Sequence, residues 1–231
     1  MTRTMTRLTA AGTVAGTILA AALTGGTALA GTGEGGSVIP RGFLLYESQA
    51  RKPVKHADEW WTISDKLGES LAPQPCDLTR AADRDRVTMR SVYYQSPWAG
   101  SGEQLVIYRS TAAARRALAG IRGHVERCAR FATKSQPIVV SRARAKPVRI
   151  GDEAMQIVNW RQIYDGRTPR PGSGHSSRTV VVRKGRAVAV YNVTNMGAEA
   201  AHGAGFIPLL KDARRMAAKI CSLRGVCQPA R

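Results

Sequence analysis

EQLVIYRSTAAARRALAGIRGHVERC, residues 103–128, carries two different periodicities on either side of one capping position. Gln104 to Tyr108 is a short apolar run with β-branched and aromatic residues, which reads as a strand. Beyond it Ala114, Leu118, Ile121, Val125 and Cys128 recur at spacings of four and three, so they share one stripe of a helix. Ser110 or Thr111 can cap that helix by accepting a hydrogen bond from an amide with no partner in the first turn. Arg115, Arg116, Arg122, Arg127 and His124 fall off the stripe and are expected in water. A helix with one apolar stripe needs a sheet to lie on, and the flanking sequence supplies it.

Upstream, Arg86 to Gln95 alternates with period two, as a strand with one face more buried than the other does. The loop SPWAGSG joins it to Gln104 to Tyr108 as an antiparallel hairpin. Downstream, Ile138 to Ser141 is a short strand, and Ala154 to Ile163 is another after a bend at Gly151-Asp152. Asp165 to Ser177 is a loop by its Gly, Pro and Ser content. Arg178–Arg183 and Arg186–Val193 form a hairpin about Lys184-Gly185, where glycine supplies a positive φ. The last helix runs from about Phe206 to Cys221, with Pro208 in its first turn where a missing amide costs nothing. Phe43-Leu44-Leu45 is expected to dock on the core, and Asp58 to Ala72 has near-helical spacing at Trp61, Ile63, Leu67 and Leu71. Hairpin connections between strands, with helices interspersed, predict an α+β domain: an antiparallel β-sheet with helices packed on it.

Residues 1–30 read as a signal peptide, with Arg3 and Arg7 before an uncharged stretch and a small-x-small site at Ala28-Leu29-Ala30. Gly31, Thr32 and Gly33 follow, so no cysteine is placed for a lipid anchor. Residues 31–42 are a Gly-rich flexible lead-in, and 43–231 suit one domain. The expectation is a secreted, extracellular protein, free or associated with the cell wall, with no stable membrane insertion after cleavage. Cys76, Cys128, Cys221 and Cys227 all follow the signal, and the compartment favours two disulfides. Three pairings are open; the close spacing of Cys221 and Cys227 favours a local bridge, leaving Cys76 with Cys128. Chain entropy assigns the long loop roughly 4 kcal/mol and the short one about 2. Zinc is disfavoured, since the thiols lack a CxxC pair or a Cys/His cluster with ligand spacing.

Cys76, the strand-to-helix run ending at Cys128, the bend VRIGDEA, and the hairpin TVVVRKGRAVAV followed by a helix reaching Cys221 succeed one another along most of residues 43–222. In these pieces and their order the chain resembles the PknH-like extracellular sensor domains of actinobacteria, found on a membrane Ser/Thr kinase and on secreted or lipid-anchored relatives. The resemblance implies an antiparallel sheet with packed helices, two disulfides, and a cleft of mixed lining for an extracellular ligand. The chain departs from the kinase in having no kinase domain or transmembrane helix. Its close pair Cys221 and Cys227 departs from the family's second disulfide.

The formal charge of +19 creates a long-range positive field whose natural partners are polyanions. Arg142, Arg144 and Lys146 share one parity, and with Arg161, Arg167, Arg170, Arg178 and Arg183 could form a polyanion-binding face. A specific nucleic-acid target is disfavoured because no reading motif is present. Of the four histidines, His56, His124, His175 and His202, only His175 lies in a loop suited to ligand contact. Asp152 and Glu153 are adjacent carboxylates, expected to point apart, with Asp152 binding nearby backbone in a bend. Trp60, Trp61, Trp98 and Trp160 could stack on a sugar, but most are expected in the core. No catalytic, metal or cofactor motif is legible. The expectation is therefore a non-enzymatic, exported sensor-like domain taking a small ligand or an anionic envelope polymer. The alternatives are an interaction protein that modulates a membrane partner and a secreted hydrolase.

Overall fold

A computed structural model describes residues 38–76, 84–196 and 206–227. The expected signal peptide and most of the expected Gly-rich lead-in fall outside the described residues. The described strands are β1 (Trp60–Ser64), β2 (Arg86–Gln95), β3 (Ala99–Tyr108), β4 (Phe131–Ala132), β5 (Ile138–Val148), β6 (Glu153–Asp165), β7 (Thr168–Pro169), β8 (His175–Lys184) and β9 (Ala187–Met196). They form one antiparallel sheet in the order β1-β2-β3-β9-β8-β6-β5-β4, with β7 added to β6. The described helices are α1 (Glu47–Ala50), α2 (Thr111–Arg127) and α3 (Phe206–Ile220). The expected α+β class is the observed one, with Cys76–Cys128 and Cys221–Cys227 as its two disulfides.

Each face of the sheet has its own core. The stripe of α2 packs Ala114, Leu118, Ile121 and Val125 on Met89, Val106, Met155, Ile157, Val181 and Val190. Ser110 is its cap, its hydroxyl accepting from the Ala113 amide at 3.1 Å. On the other face Leu209, Ala213, Met216 and Ile220 of α3 pack on Val180, Val182, Ala187 and Ala189, together with Phe43 and Leu44 of the N-terminal segment. Burying such a side chain contributes about 1.5–3 kcal/mol relative to leaving it in water, and here strands of period two meet helices of period 3.6.

Several expectations are corrected by tertiary context. The near-helical spacing over 58–72 is instead the edge strand β1, because Trp60 to Ile63 are strand-favouring and pair with Val92 to Gln95. The first hairpin's loop is only Ser96 to Trp98; Gly100 and Gly102 already lie in β3. β5 continues past Ser141 to Val148, and the expected 165–177 loop contains β7 and the first residues of β8. The β8–β9 turn is Gly185-Arg186, one residue on from expectation, since Lys184 pairs with Ala187. Gly185 keeps its positive φ of 56°, and a Cβ there would lie 2.1 Å from the Val226 carbonyl oxygen. The Cys221–Cys227 loop is thus seated on the hairpin tip, where Arg186 donates its amide to Val226 and its side chain to Gly225.

Two buried carboxylates fasten the N-terminal segment to the α3 face. Glu47 accepts a two-pronged contact from Arg90 of β2 at 2.8 and 2.9 Å, and also the amides of Gly42 and Leu44. Burial works against its charge, but Arg90 and those amides more than offset it, so its carboxyl is held below the usual range. Glu103 of β3 accepts from the Tyr46 amide at 2.7 Å and from the Tyr191 hydroxyl. Here burial dominates and pushes the carboxyl up, with Asp212 adding repulsion. The folded state therefore binds this proton more tightly than the unfolded chain, so Glu103's contribution to stability rises as pH falls from neutral through the folded pKa. Glu103→Gln removes the charge while its amide oxygen still accepts from the Tyr46 N–H and its NH2 donates to the Tyr191 hydroxyl oxygen. We expect urea denaturation to find it more stable than wild type at pH 7, with the difference shrinking as the pH is lowered. A loss of stability that is equal at neutral and acidic pH would trace to altered hydrogen bonding instead of to the charge.

Candidate functional site

The α2 helix covers one half of its face of the sheet. Above it the segment 65–76 crosses the strands, held to β2 by Ser91 donating to Glu69 and to β3 by a paired contact of the Gln104 amide with Ala72 and Ser70. The far end of this strap is fixed by Cys76 to Cys128, just past the last turn of α2. The register places Ser141 (β5), Asn159 (β6), His175 (β8) and Asn192 (β9) on the same face as the α2 core, because directly paired residues share a face. Ser141 and Asn159 are buried, with exposures of 0% and 4%, and His175 and Asn192 are half-buried.

What unites these four is chemistry without a partner. Among the described residues, Ser141 Oγ, Asn159 Oδ1, His175 Nε2 and Asn192 Oδ1 are shielded from solvent and have no hydrogen-bond partner. A buried polar atom left so costs about 1–3 kcal/mol, which is why nearly all are satisfied by protein, water or ligand. Burial, followed by the charge of nearby Arg161, lowers the His175 pKa, so at neutral pH the floor carries an uncharged imidazole. Gly102 of β3 makes room for it: a Cβ there would lie 2.5 Å from Asn192 Oδ1 and 2.6 Å from the Tyr93 ring.

No family model matches the chain, and no curated protein matches it. Among solved structures it is similar to the crystal structure of the extracellular domain of PknH from Mycobacterium tuberculosis. That likeness has 12% sequence identity and a TM-score of 0.47, and covers 78% of this chain and 92% of that one.

The residues singled out from sequence are distributed as follows. Arg142, Arg144 and Lys146 are exposed on one face of β5, and Arg178 of β8 shares that face through Val158. Arg161 is on the opposite face, paired with Ser141 and His175, so the expected basic set does not form one surface. Arg183 is buried at 3% exposure, and Arg170 is paired with Asp165. Asp152 and Glu153 do not point apart: the bend lets both reach Arg183, at 3.0 Å each, and Asp152 also takes the Gly185 amide. His175 is in a strand instead of a flexible loop. His124 is buried, with Nε2 3.8 Å from Cys128 Sγ, because Cys128 and Val125 bring that side of the helix end under the strap. Cys76, His124 and Cys128 lie within metal-ligand reach of one another. In the disulfide neither sulfur is a thiolate, the form that binds metal. Contrary to expectation, the tryptophans are not in the core interior: Trp60 and Trp98 are exposed, Trp160 is half-buried, and Trp61, half-buried, packs against the edge of the α3-side core.

Ser141, Asn159 and Asn192 escaped the sequence reading, although parity carried a signal. Asn159 continues the buried alternation of Met155 and Ile157, so a polar residue stands where the pattern calls for an apolar one. The Gly102 packing gives a direct check on the floor. Gly102→Ala should destabilise the protein by about 1–3 kcal/mol in chemical denaturation, since neither strand backbone nor the Tyr93 ring can yield without cost. A neutral effect would mean that Asn192 and Tyr93 swing away freely.

Proposed function

We propose that this is an exported, non-enzymatic, sensor-like domain that binds a small polar ligand on the floor formed by Ser141, Asn159 and His175. The single observation that carries the reading is that these three sequestered polar atoms, without partners among the described residues, lie on neighbouring strands of one sheet face, around Arg161, while Asn192 lies two residue pairs further along. An amide oxygen, a neutral imidazole and a hydroxyl favour a ligand with several hydroxyl or amide hydrogens, and Arg161 beside them can meet an acceptor on it. A rigid sheet holds such a constellation more precisely than a loop does.

Export is supported by two disulfides, which persist in oxidising compartments. No described helix is long and apolar enough to cross a membrane. Binding without catalysis is favoured by what surrounds the titratable groups. Asp152 and Glu153 are committed to Arg183, and His175 has Arg161 beside it where a general base would want a carboxylate.

The reading can be tested before the ligand is identified. Asn159→Leu replaces an unsatisfied amide by an apolar side chain of similar size, so the unliganded protein should gain about 1–3 kcal/mol in thermal or urea unfolding. Native mass spectrometry of protein recovered from culture medium should show a small-molecule adduct on wild type and none on the variant. A destabilised variant would make Asn159 a structural residue. Identical adduct profiles would remove the floor as the ligand seat.

A further inference from the structure

The other face of the same strands is left uncovered at its far edge. α3 packs on β8 and β9, and among the described helices none lies over β5 or the adjoining part of β6 on this face. A groove of about 760 Å³ opens there between β5, β6 and the short edge strand β4. Its floor is apolar, formed by Val140, Val158 and Trp160, and its rim is cationic, formed by Arg130, Arg142 and Arg144. Val158 is 43% exposed in the middle of a strand, and the Arg142 guanidinium lies 5.9 Å above the Trp160 ring. None of the three rim arginines is in an ion pair with a described carboxylate, although Asp152, Glu153 and Asp165 on β6 or beside it are each paired with another arginine.

We propose that this groove binds an anionic glycan, independently of the polar floor on the opposite face. Strand geometry spaces alternate side chains roughly 7 Å apart, so Arg142 and Arg144 meet successive charges along an extended polymer. Between the charges, Trp160 and Val158 offer a flat surface to the C–H face of a sugar ring, while guanidinium groups bind carboxylate or phosphate in a two-pronged manner. The concavity argues against a bilayer, which meets protruding apolar side chains, whereas here they lie below a charged rim. A single-stranded nucleic acid would want a succession of aromatic platforms, and here Trp160 stands beside two valines while the groove's other ring, Phe131, is packed against the α2 core. The overall charge of +19 brings any polyanion to the protein; the groove adds the choice of which one stays.

The experiment uses the purified full chain with both disulfides formed and polygalacturonate as the probe, with affinity measured over a salt series. Arg142→Gln/Arg144→Gln should weaken binding at least tenfold and reduce the log–log salt slope by about 2, one for each cation removed. Trp160→Ala should weaken binding about fivefold, and Trp160→Phe should restore most of it. Arg51→Gln/Lys52→Gln, an exposed pair just after α1 at the β1 edge of the sheet, should change affinity less than twofold. Equal losses from that pair and the groove pair would overturn the proposal in favour of diffuse charge. Polyphosphate bound as tightly as polygalacturonate, with Trp160→Ala silent, would overturn the role of the floor. Stronger competition by oligodeoxythymidylate, or binding to phosphatidylglycerol vesicles but not to polygalacturonate, would assign the groove to nucleic acid or lipid. Ser141 also borders this groove, but none of these variants changes a residue of the polar floor and Asn159→Leu tests the floor separately, so failure here leaves that reading standing.

Discussion

A sheet this wide must be shielded on both faces by helices too short to cover it. Its eight side-by-side strands span roughly 34 Å, whereas the 17 residues of α2 span about 26 Å. α3 is shorter still and sits over β8 and β9. Where the helices lie, the inward residues are mostly apolar, with Glu103, Gln104 and Arg183 among the buried polar exceptions; where they stop, the strands change character. On the α2 side the change is to Ser, Asn and His, and on the α3 side to arginine around an exposed valine and a tryptophan. Both candidate sites are consequences of incomplete coverage, and the sequence has accommodated them with different chemistry.

The strap and the N-terminal segment extend that coverage without helices, and they need polar attachment because they bury little apolar surface. Gln104 satisfies two backbone groups of the strap at once, and Arg90 with Glu47 performs the same service for the N-terminal segment. A two-pronged, buried pair of this kind contributes little net stability compared with an apolar replacement, but losing one partner strands the other. Its value is positional: it fixes where the segment crosses and so where the apolar contacts of Phe43 and Leu44 fall.

The framework was legible from residue spacing to the extent that a residue's neighbours in sequence determine its neighbours in space. The α2 stripe, the β8–β9 hairpin, the α3 stripe and the Cys221–Cys227 bridge all depend on local periodicity or short spacing, and Cys76–Cys128 follows once the short bridge is assigned. The 58–72 segment misled because two tryptophans, a threonine and an isoleucine match a loose helical stripe as well as an edge strand, and the partner that decides, Tyr93-Tyr94, is about thirty residues away. His124 misled for a related reason. Its helical angle is off the stripe, but the strap covers that side of the helix, and nothing local announces a strap. The Asp152–Glu153 convergence required the bend at Gly151 and the position of Arg183 on a neighbouring strand. Asn159 was the reverse case: the signal was local, a polar residue in a buried alternation, and only its lack of a partner required three dimensions.

The seating of the Cys221–Cys227 loop on the β8–β9 tip also orients the molecule. The hairpin tip at Gly185 and the floor residue His175 lie at opposite ends of β8, roughly 30 Å apart. Val226 and Cys227 are held against that tip by the Arg186 contacts and by the glycine's missing side chain. A label, surface linkage or fused partner joined to the chain just after Cys227 would therefore begin at the pole of the domain remote from the polar floor. Immobilised in that way, the domain would present its floor outward.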